Sequence, residues 1–455
     1  MNNTCLAVYN TEMAMKKLIG LCFILGFISS CGSVNDGELT GVQGREKYYE
    51  PDPYGMVFVP QGSFTTGPAD QDVSWAQNNG SKTVSVDAFW MDETEITNNK
   101  YRQFVFWVRD SIMRRMLGEQ LEEYVINQDE AGNPIEPALI NWQTKIDYKD
   151  EQVNTIIQDM YYAPEDRIFG RKEIDTRKLN FEYYWIDLQQ AAKKQNRYNF
   201  GTKSYQGFVY NNEGEKVDIT SRKSFIFRDV INVYPDTLSW IHDFTYSFNE
   251  PMTNSYFHHL AYDNYPVVGV SWKQATAFCI WRSNLLNTSL GADGRSPVQD
   301  YRLPTETEWE YAARGGDALS MYPWGGMYTR NYIGCFLANF KPLRGNYADD
   351  GGLTTVRVGT YDPNGYGLYD MSGNVAEWTA NAFDESAYVF THDLNPDYKY
   401  NARPNDPPVM KRKVVRGGSW KDIAYFLQCA SRTYEYQDTA KSYIGFRCVR
   451  SYLGN

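Results

Sequence analysis

Histidine is scarce in this chain, four residues in 455, and cysteine is little more common, with seven. His242, His258, His259 and His392 show no helical ligand spacing, which argues against a metal site built from several imidazoles. Positive charge is not in excess: 45 Lys and Arg against 56 Asp and Glu give a net charge of -11 and a pI near 5.1. A basic footprint for nucleic acid is therefore excluded. No glycine-rich phosphate loop and no nucleophile elbow occurs, which removes the simplest routes to nucleotide or acyl-transfer chemistry. Acidic pairs abound, but no spacing singles out a general acid and base. After residue 30 no apolar run approaches the ~20 residues that a membrane-spanning helix needs.

Aromatic rings are plentiful, 16% of the chain, with 36 Tyr and 12 Trp. That content opposes low-complexity disorder. It predicts a loop-rich fold whose core is filled by large rings, and surfaces suited to protein contact. A hydrophobic fraction of 42% over 455 residues suffices for one large core or two ordinary ones.

The N-terminal region sets the expected compartment. Lys16 and Lys17 precede an apolar stretch, Leu18 to Ile28, of signal-peptide length. Ile28-Ser29-Ser30-Cys31-Gly32 resembles a bacterial lipobox. That resemblance implies cleavage before Cys31 and its acylation, and several acyl chains anchor far better than one. An ordinary cleaved signal with an incidental cysteine is the alternative. Met15 is a better start than Met1. Gly32 and Ser33 after the cysteine imply sorting to the outer membrane, on its periplasmic face. The expected organisation is a signal peptide over 1–30 and a lipidated tether over 31–54, polar and rich in Gly and Pro. A first part of the main domain follows over 55–126, then an insertion over 127–257, then the second part over 258–455.

Met56-Val57-Phe58-Val59-Pro60 reads as a strand, with a turn at Gln61-Gly62-Ser63. Val84 to Met91 reads as another strand. Thr97 is an expected N-cap for a helix with Tyr101, Phe104, Val105, Val108 and Ile112 on its apolar face, running on through Arg114, Arg115 and Leu121. In the Tyr- and Asn-rich stretch, Phe181 to Lys194 reads as an amphipathic helix. Gly207 to Tyr210 leads into a hairpin turn at Asn211 to Gly214. Arg302 and Glu306 are an expected buried charge pair.

Ordered motifs run through the body. Asp92-Glu93-Thr94-Glu95-Ile96-Thr97-Asn98 follows the first strand. Pro266 to Trp272 (PVVGVSW) comes next, then Tyr301 to Gly316 (YRLPTETEWEYAARGG). Asn364 to Trp378 (NGYGLYDMSGNVAEW), Arg416 to Trp420 (RGGSW) and Gly445 to Cys448 (GFRC) complete the set. In this order they resemble the formylglycine-generating enzyme, or sulfatase-modifying factor, family. The resemblance implies an α+β fold with little regular secondary structure, related to C-type lectins and here interrupted by the large insertion.

The enzymes of that family oxidise a substrate cysteine with two closely spaced copper(I)-binding cysteines, the first three residues after the Ser of the GGS run. Here that position is Asp422, a hard oxygen ligand unsuited to copper(I), and Ile423 to Gln428 contains no cysteine. Catalytic loss is the expectation, and no copper. A related iron-dependent branch needs three imidazoles and an extra domain that this chain lacks. The resemblance also implies two structural calcium loops, one at Asp370, Gly373, Val375 and Glu377 and one at Asn339, Phe340, Asp350 and Gly352, with the apolar residues and glycines giving main-chain oxygen. Closure by hydrogen bonds without a metal is the alternative. It implies a disulfide between Cys279 and Cys448. The family partner of Cys429 falls at Ala313, so Cys429 lacks it; Cys335 is a candidate replacement.

The lipobox, the family body, the missing cysteines and the insertion together resemble gliding-motility and type IX secretion lipoproteins of the GldK/PorK type. This implies a periplasmic ring with a GldN/PorN-type partner, serving protein secretion. Two other readings stand beside it: a glycan- or peptidoglycan-binding lipoprotein, and an enzyme of the family with altered chemistry.

Overall fold

Two helices of 21 residues, Asn98–Gly118 and Trp272–Ala292, hold the centre of the molecule. The computed structural model describes residues 48–68, 80–129, 132–244, 251–343, 346, 348 and 352–454. The expected signal peptide, Cys31 and most of the expected tether lie outside the described residues. Residues Glu50–Gly454 form one unit, and Glu50 and Pro53 are already buried in it. The body thus begins ahead of the expected tether end at 54. Thr97 caps the first helix by accepting the Lys100 amide at 3.3 Å. A capping box of Ser271 and Gln274 starts the second. Tyr101 of the first stacks on Phe278 of the second at 5.6 Å, and Phe104 packs on Trp281 at 5.2 Å. The first helix stops at Gly118, short of Leu121. A Cβ at Gly118 would stand 2.2 Å from Val125 Cγ1, where the chain folds back on itself.

Two four-stranded sheets flank this centre. The first orders Met56–Val59, Phe89–Asp92, Val449–Ser451 and Tyr301–Arg302, with every neighbour antiparallel. The second orders Thr433–Tyr436, Arg412–Arg416, Ala376–Ala382 and Ile444–Gly445, the last pair parallel. The expected single strand Val84 to Met91 is two strands, Lys82–Val86 and Phe89–Asp92. They break at Asp87-Ala88 because the first pairs with Gly62–Thr66 and the second with Met56–Val59.

The stretch 127–257 adds to the same core. Ile157, Met160, Leu179, Phe181, Tyr183, Val233 and Phe257 pack in one cluster with Tyr101, Phe104 and Phe278. The helix expected over Phe181 to Lys194 is instead the strand Asn180–Ile186 followed by a short helix, Leu188–Ala192. The strand pairs antiparallel with Ile226–Asn232. Phe181 and Tyr183 point inward while Tyr184 and Ile186 are exposed, the two-residue period of a half-buried strand. Asp187 then caps the helix through the Gln190 amide. The hairpin forms as expected, with Phe208–Tyr210 pairing to Lys216–Asp218.

Buried ion pairs lock the Glu306–Ala313 helix. Glu310 receives Arg314 and Arg416, each at 2.7 Å, with Thr66 Oγ1 at 2.8 Å and the Gly67 amide at 2.9 Å. Burial alone would push Glu310 up, but Arg416 and Arg314 hold it below the usual carboxylate range. The pair expected between Arg302 and Glu306 is absent. Arg302 binds Glu308 at 2.6 and 2.7 Å, because Glu308 also closes the capping box of Thr305. Glu306 turns to Arg416 and Arg432. Removing one partner of a fully buried set leaves uncompensated charge. Glu310→Gln is expected to cost about 3–5 kcal/mol, read as a lower denaturant midpoint; a change under ~1 kcal/mol would mean the set behaves like a surface pair.

Candidate functional site

The turn from Asn364 to Glu377 is anchored before it reaches its acidic residues. Asn364 Nδ2 donates to the carbonyls of Ala312 and Ala313, and its Oδ1 accepts the amides of Tyr366 and Leu368. Asp370 and Asn374 then adopt positive φ, 54° and 58°. Gly373 lies between them, and a Cβ there would fall 2.4 Å from the Asn339 carbonyl oxygen. The Asn374 amide donates to that same oxygen at 2.8 Å. The two loops expected to bind calcium are therefore in direct contact.

Their side chains divide the work differently from expectation. Glu377 is committed to Arg447, at 2.7–2.8 Å, and to Trp309 Nε1 at 2.8 Å. Asp370 instead lies close enough to Glu95 for the two buried carboxyls to act on each other electrostatically. Asp370 Oδ2 accepts the Gly359 amide at 2.6 Å, while Oδ1 is buried without a partner. Glu95 accepts Asn374 Nδ2 at 3.2 Å and the Val375 amide at 3.4 Å. Burial, then Asp370 and Glu377, push the Glu95 carboxyl well up. Burial pushes Asp370 up to about 6, with Glu377 adding to it. Sequence reasoning missed Glu95. It is one of three acidic residues in the run 92–95, and spacing does not separate it from Asp92 and Glu93.

An orphaned buried acceptor beside a second carboxyl pushed up by burial fits a hard, oxygen-seeking cation, which would take the place of a proton there. Among the described residues no three His, Cys, Asp or Glu side chains form a ready cage. Such an ion would be held by Glu95 and Asp370 and would draw on main-chain oxygen, as at Gly373 and Val375. In the other loop, Asn339 Nδ2 donates to the Thr354 carbonyl at 2.8 Å and Phe340 packs on Phe336. A Cβ at Gly352 would meet Val356 Cγ1 at 2.6 Å. Asp350 lies outside the described residues.

The Arg416 to Trp420 turn is equally constrained. Gly417 has φ +92° and lies against Trp309, with a Cβ there 3.1 Å from the ring. Ser419 Oγ donates to Asp422 Oδ2 at 2.6 Å, and the Lys341 amide donates to the Asp422 carbonyl at 2.8 Å. Burial pushes the Asp422 carboxyl up. The helix Ser239–Asp243 covers this turn. Trp240 and Phe244 stack on Trp420 at 6.0 and 6.1 Å, and Asp243 binds Lys421 and Ser442.

Cys279 and Cys448 come together, with their sulfurs 3.4 Å apart and unbonded. Burial, then the neighbouring Cys279, keeps Cys448 protonated. Cys429 shares a core cluster with Ala313. Cys335 is half-buried in a loop. His258 bonds the Tyr234 hydroxyl, and His259 Nδ1 accepts the Ala261 amide, so both have local packing partners.

Three outcomes follow from this geometry. Between the ordinary Asp value of about 4 and the folded value of about 6, the folded chain keeps a proton that the unfolded chain has lost. The contribution of Asp370 to stability therefore falls as pH rises through that window and stays low above it. In chelator at pH 7.5, Asp370→Asn is expected to melt higher than the unsubstituted chain. Calcium is expected to raise the melting temperature of the unsubstituted chain more at pH 7.5 than at pH 5 and to leave the variant unmoved; a variant that responds equally would refute the assignment. Gly373→Ala is expected to destabilise by more than the ~1 kcal/mol of a simple φ penalty, because the methyl strikes a carbonyl, measured by denaturant titration. From an oxidising buffer, the denatured unreduced chain is expected to bind two fewer equivalents of alkylating reagent than the reduced chain, with Cys279 and Cys448 accounting for both.

The sulfatase-modifying factor enzyme 1-like domain matches this chain over residues 45–155 and 165–452. The match runs through most of the stretch 127–257. The formylglycine-generating enzyme of Mus musculus is 34% identical over 196 residues, 42% of this chain and 45% of that protein. The mouse inactive C-alpha-formylglycine-generating enzyme 2 is 35% identical over 192 residues, 41% of this chain and 49% of that protein. The alignments thus span about half the length of these curated relatives. Among solved structures, PvdO from Pseudomonas aeruginosa overlays with a TM-score of 0.43 at 16% identity, covering 87% of this chain and 94% of that one. The ordered motifs and the extent of the domain match place this chain in the sulfatase-modifying factor enzyme 1-like family.

Proposed function

We propose that this chain is a non-catalytic member of that family, an outer-membrane lipoprotein that scaffolds a periplasmic ring of the GldK/PorK type with a GldN/PorN-type partner. The observation that carries the loss of catalysis is Asp422. It stands where the family's first copper-binding cysteine is expected, and its carboxylate is spent on Ser419. The helix Ser239–Asp243 supports the same reading, because its rings cover the turn that would have to meet a substrate peptide. Among the relatives, two carry the word inactive in their names. The lipobox at Cys31 supports the anchor.

Partner contact belongs on the stretch 127–257. Its inner face fills the core, so removing the whole stretch would unfold the body. Its outer ribbon is free for contact: Tyr184, Ile186, Ile226 and Val230 are exposed around the Glu182–Arg228 ion pair. Contact surfaces favour rings and aliphatic groups around a few polar anchors.

Gentle detergent extraction with mass analysis is the test. A megadalton ring with a second protein in fixed ratio is the expected result. A lone lipidated monomer would overturn the scaffold and favour the peptidoglycan-binding reading, checked by retention on purified peptidoglycan. Turnover of a thiol substrate would instead revive the enzyme with altered chemistry. Tyr184→Glu with Val230→Glu is expected to release the partner while the melting temperature stays within a few degrees; retained partner would remove the ribbon from the interface.

A further inference from the structure

The incoming chain crosses one face of the first four-stranded sheet, and that face is aromatic. Phe58, Trp90 and Arg450 are cross-strand neighbours in its three adjacent strands. Arg450 bonds the Pro51 carbonyl at 3.0 Å and pairs with Glu50 at 2.9 Å, both members buried. The segment 50–53 is thereby fixed across this face, and its main charges neutralise each other out of solvent. Beside it, Tyr452 packs edge-on against Phe58 at 5.0 Å and Trp90 at 6.4 Å, and Phe58 against Trp90 at 5.2 Å. The Leu453 amide donates to Glu50. The rim is open: Tyr54 is 99% exposed, Leu453 54% and Phe58 39%.

We infer that this face rests on the lipid headgroup layer of the bilayer that holds the acyl anchor. The inference rests on the lipoprotein reading of Cys31. Eighteen residues, 32–49, separate that cysteine from Glu50. At ~3.4 Å per residue the reach of eighteen residues cannot exceed roughly 60 Å, so an acylated Cys31 would hold the Glu50 end of the body within that distance of the membrane. Tyr and Trp, apolar in body and polar at the tip, favour the headgroup level. An open Tyr and Leu at the tether's attachment point gain from partition there what they lose by standing in water. Asp52 remains exposed at the rim, where it can stay hydrated.

Hydroxyl-radical footprinting of the acylated full-length chain in phosphatidylethanolamine–phosphatidylglycerol vesicles tests this. Tyr332, also 99% exposed, is the internal reference. Tyr54 is expected to be labelled severalfold less than Tyr332, with Phe58 and Leu453 also protected. Tyr54→Glu with Leu453→Glu is expected to restore labelling at Phe58 while the acyl anchor keeps the chain on the vesicles. Equal labelling of Tyr54 and Tyr332 on an acylated chain overturns the docking alone. Protection that grows with protein density at constant lipid overturns it in favour of contact between proteins. The mass of the N-terminal peptide reads the anchor separately: an unacylated Cys31 with an unprotected face sinks the lipoprotein reading itself.

Discussion

Arg447 is fully buried and spends its guanidinium on three motifs at once. It binds Glu377 through Nε and Nη2, the carbonyls of Asp92 and Glu93 through Nη1, and the Tyr369 carbonyl through Nη2. Glu377 in turn holds the indole of Trp309. One planar fork thus joins a strand end of the first sheet, a strand of the second, and the irregular turn between them. A lysine could not reproduce this, because a point charge lacks the fixed fork geometry. Loops without ladder hydrogen bonds need such a partner, since unpaired buried carbonyls are costly.

The same guanidinium explains the strain beside it. Its charge is committed to Glu377, so Glu95 and Asp370 lie in the same buried region with less compensation, and their carboxyls are pushed up. The two acidic sites are therefore of different kinds. Glu377 is neutralised within the protein and locks the fold. Glu95 and Asp370 are left to a proton or a cation, and a proton becomes harder to keep as pH rises. That difference is electrostatic, and the spacing Asp370, Gly373, Val375, Glu377 does not express it.

Legibility followed the range of the interactions. Local grammar was readable: the Thr97 cap, the turn at Asn211 to Gly214 and the ordered motifs all correspond to real elements, because caps and turns are settled within a few residues. Phe181 to Lys194 misled because aromatic spacing fits both periods over a short window; the strand wins through pairing with Ile226–Asn232, a partner more than 40 residues away. Arg302 found Glu308 and not Glu306 because the capping box had already turned Glu308 toward it. Glu95 was invisible for the same reason as the ribbon: its meaning comes from Asp370, far along the chain.

An aspartate at 422 is compatible with an intact turn for a specific physical reason. What shapes the Gly417 to Asp422 turn is backbone: two glycines at positive φ, one against Trp309 and one against the Phe426 carbonyl. Neither depends on the side chain at 422. Asp422 makes a local bond to Ser419, and the turn's outer side is sealed by Trp240 and Phe244 from a stretch that also builds the core. Stacking of the buried Trp240 on the half-buried Phe244 and Trp420 adds stability that a ligand-accessible groove would forgo. A site that must admit a substrate keeps its surface bare; here the outer side of the turn is covered by the chain's own rings.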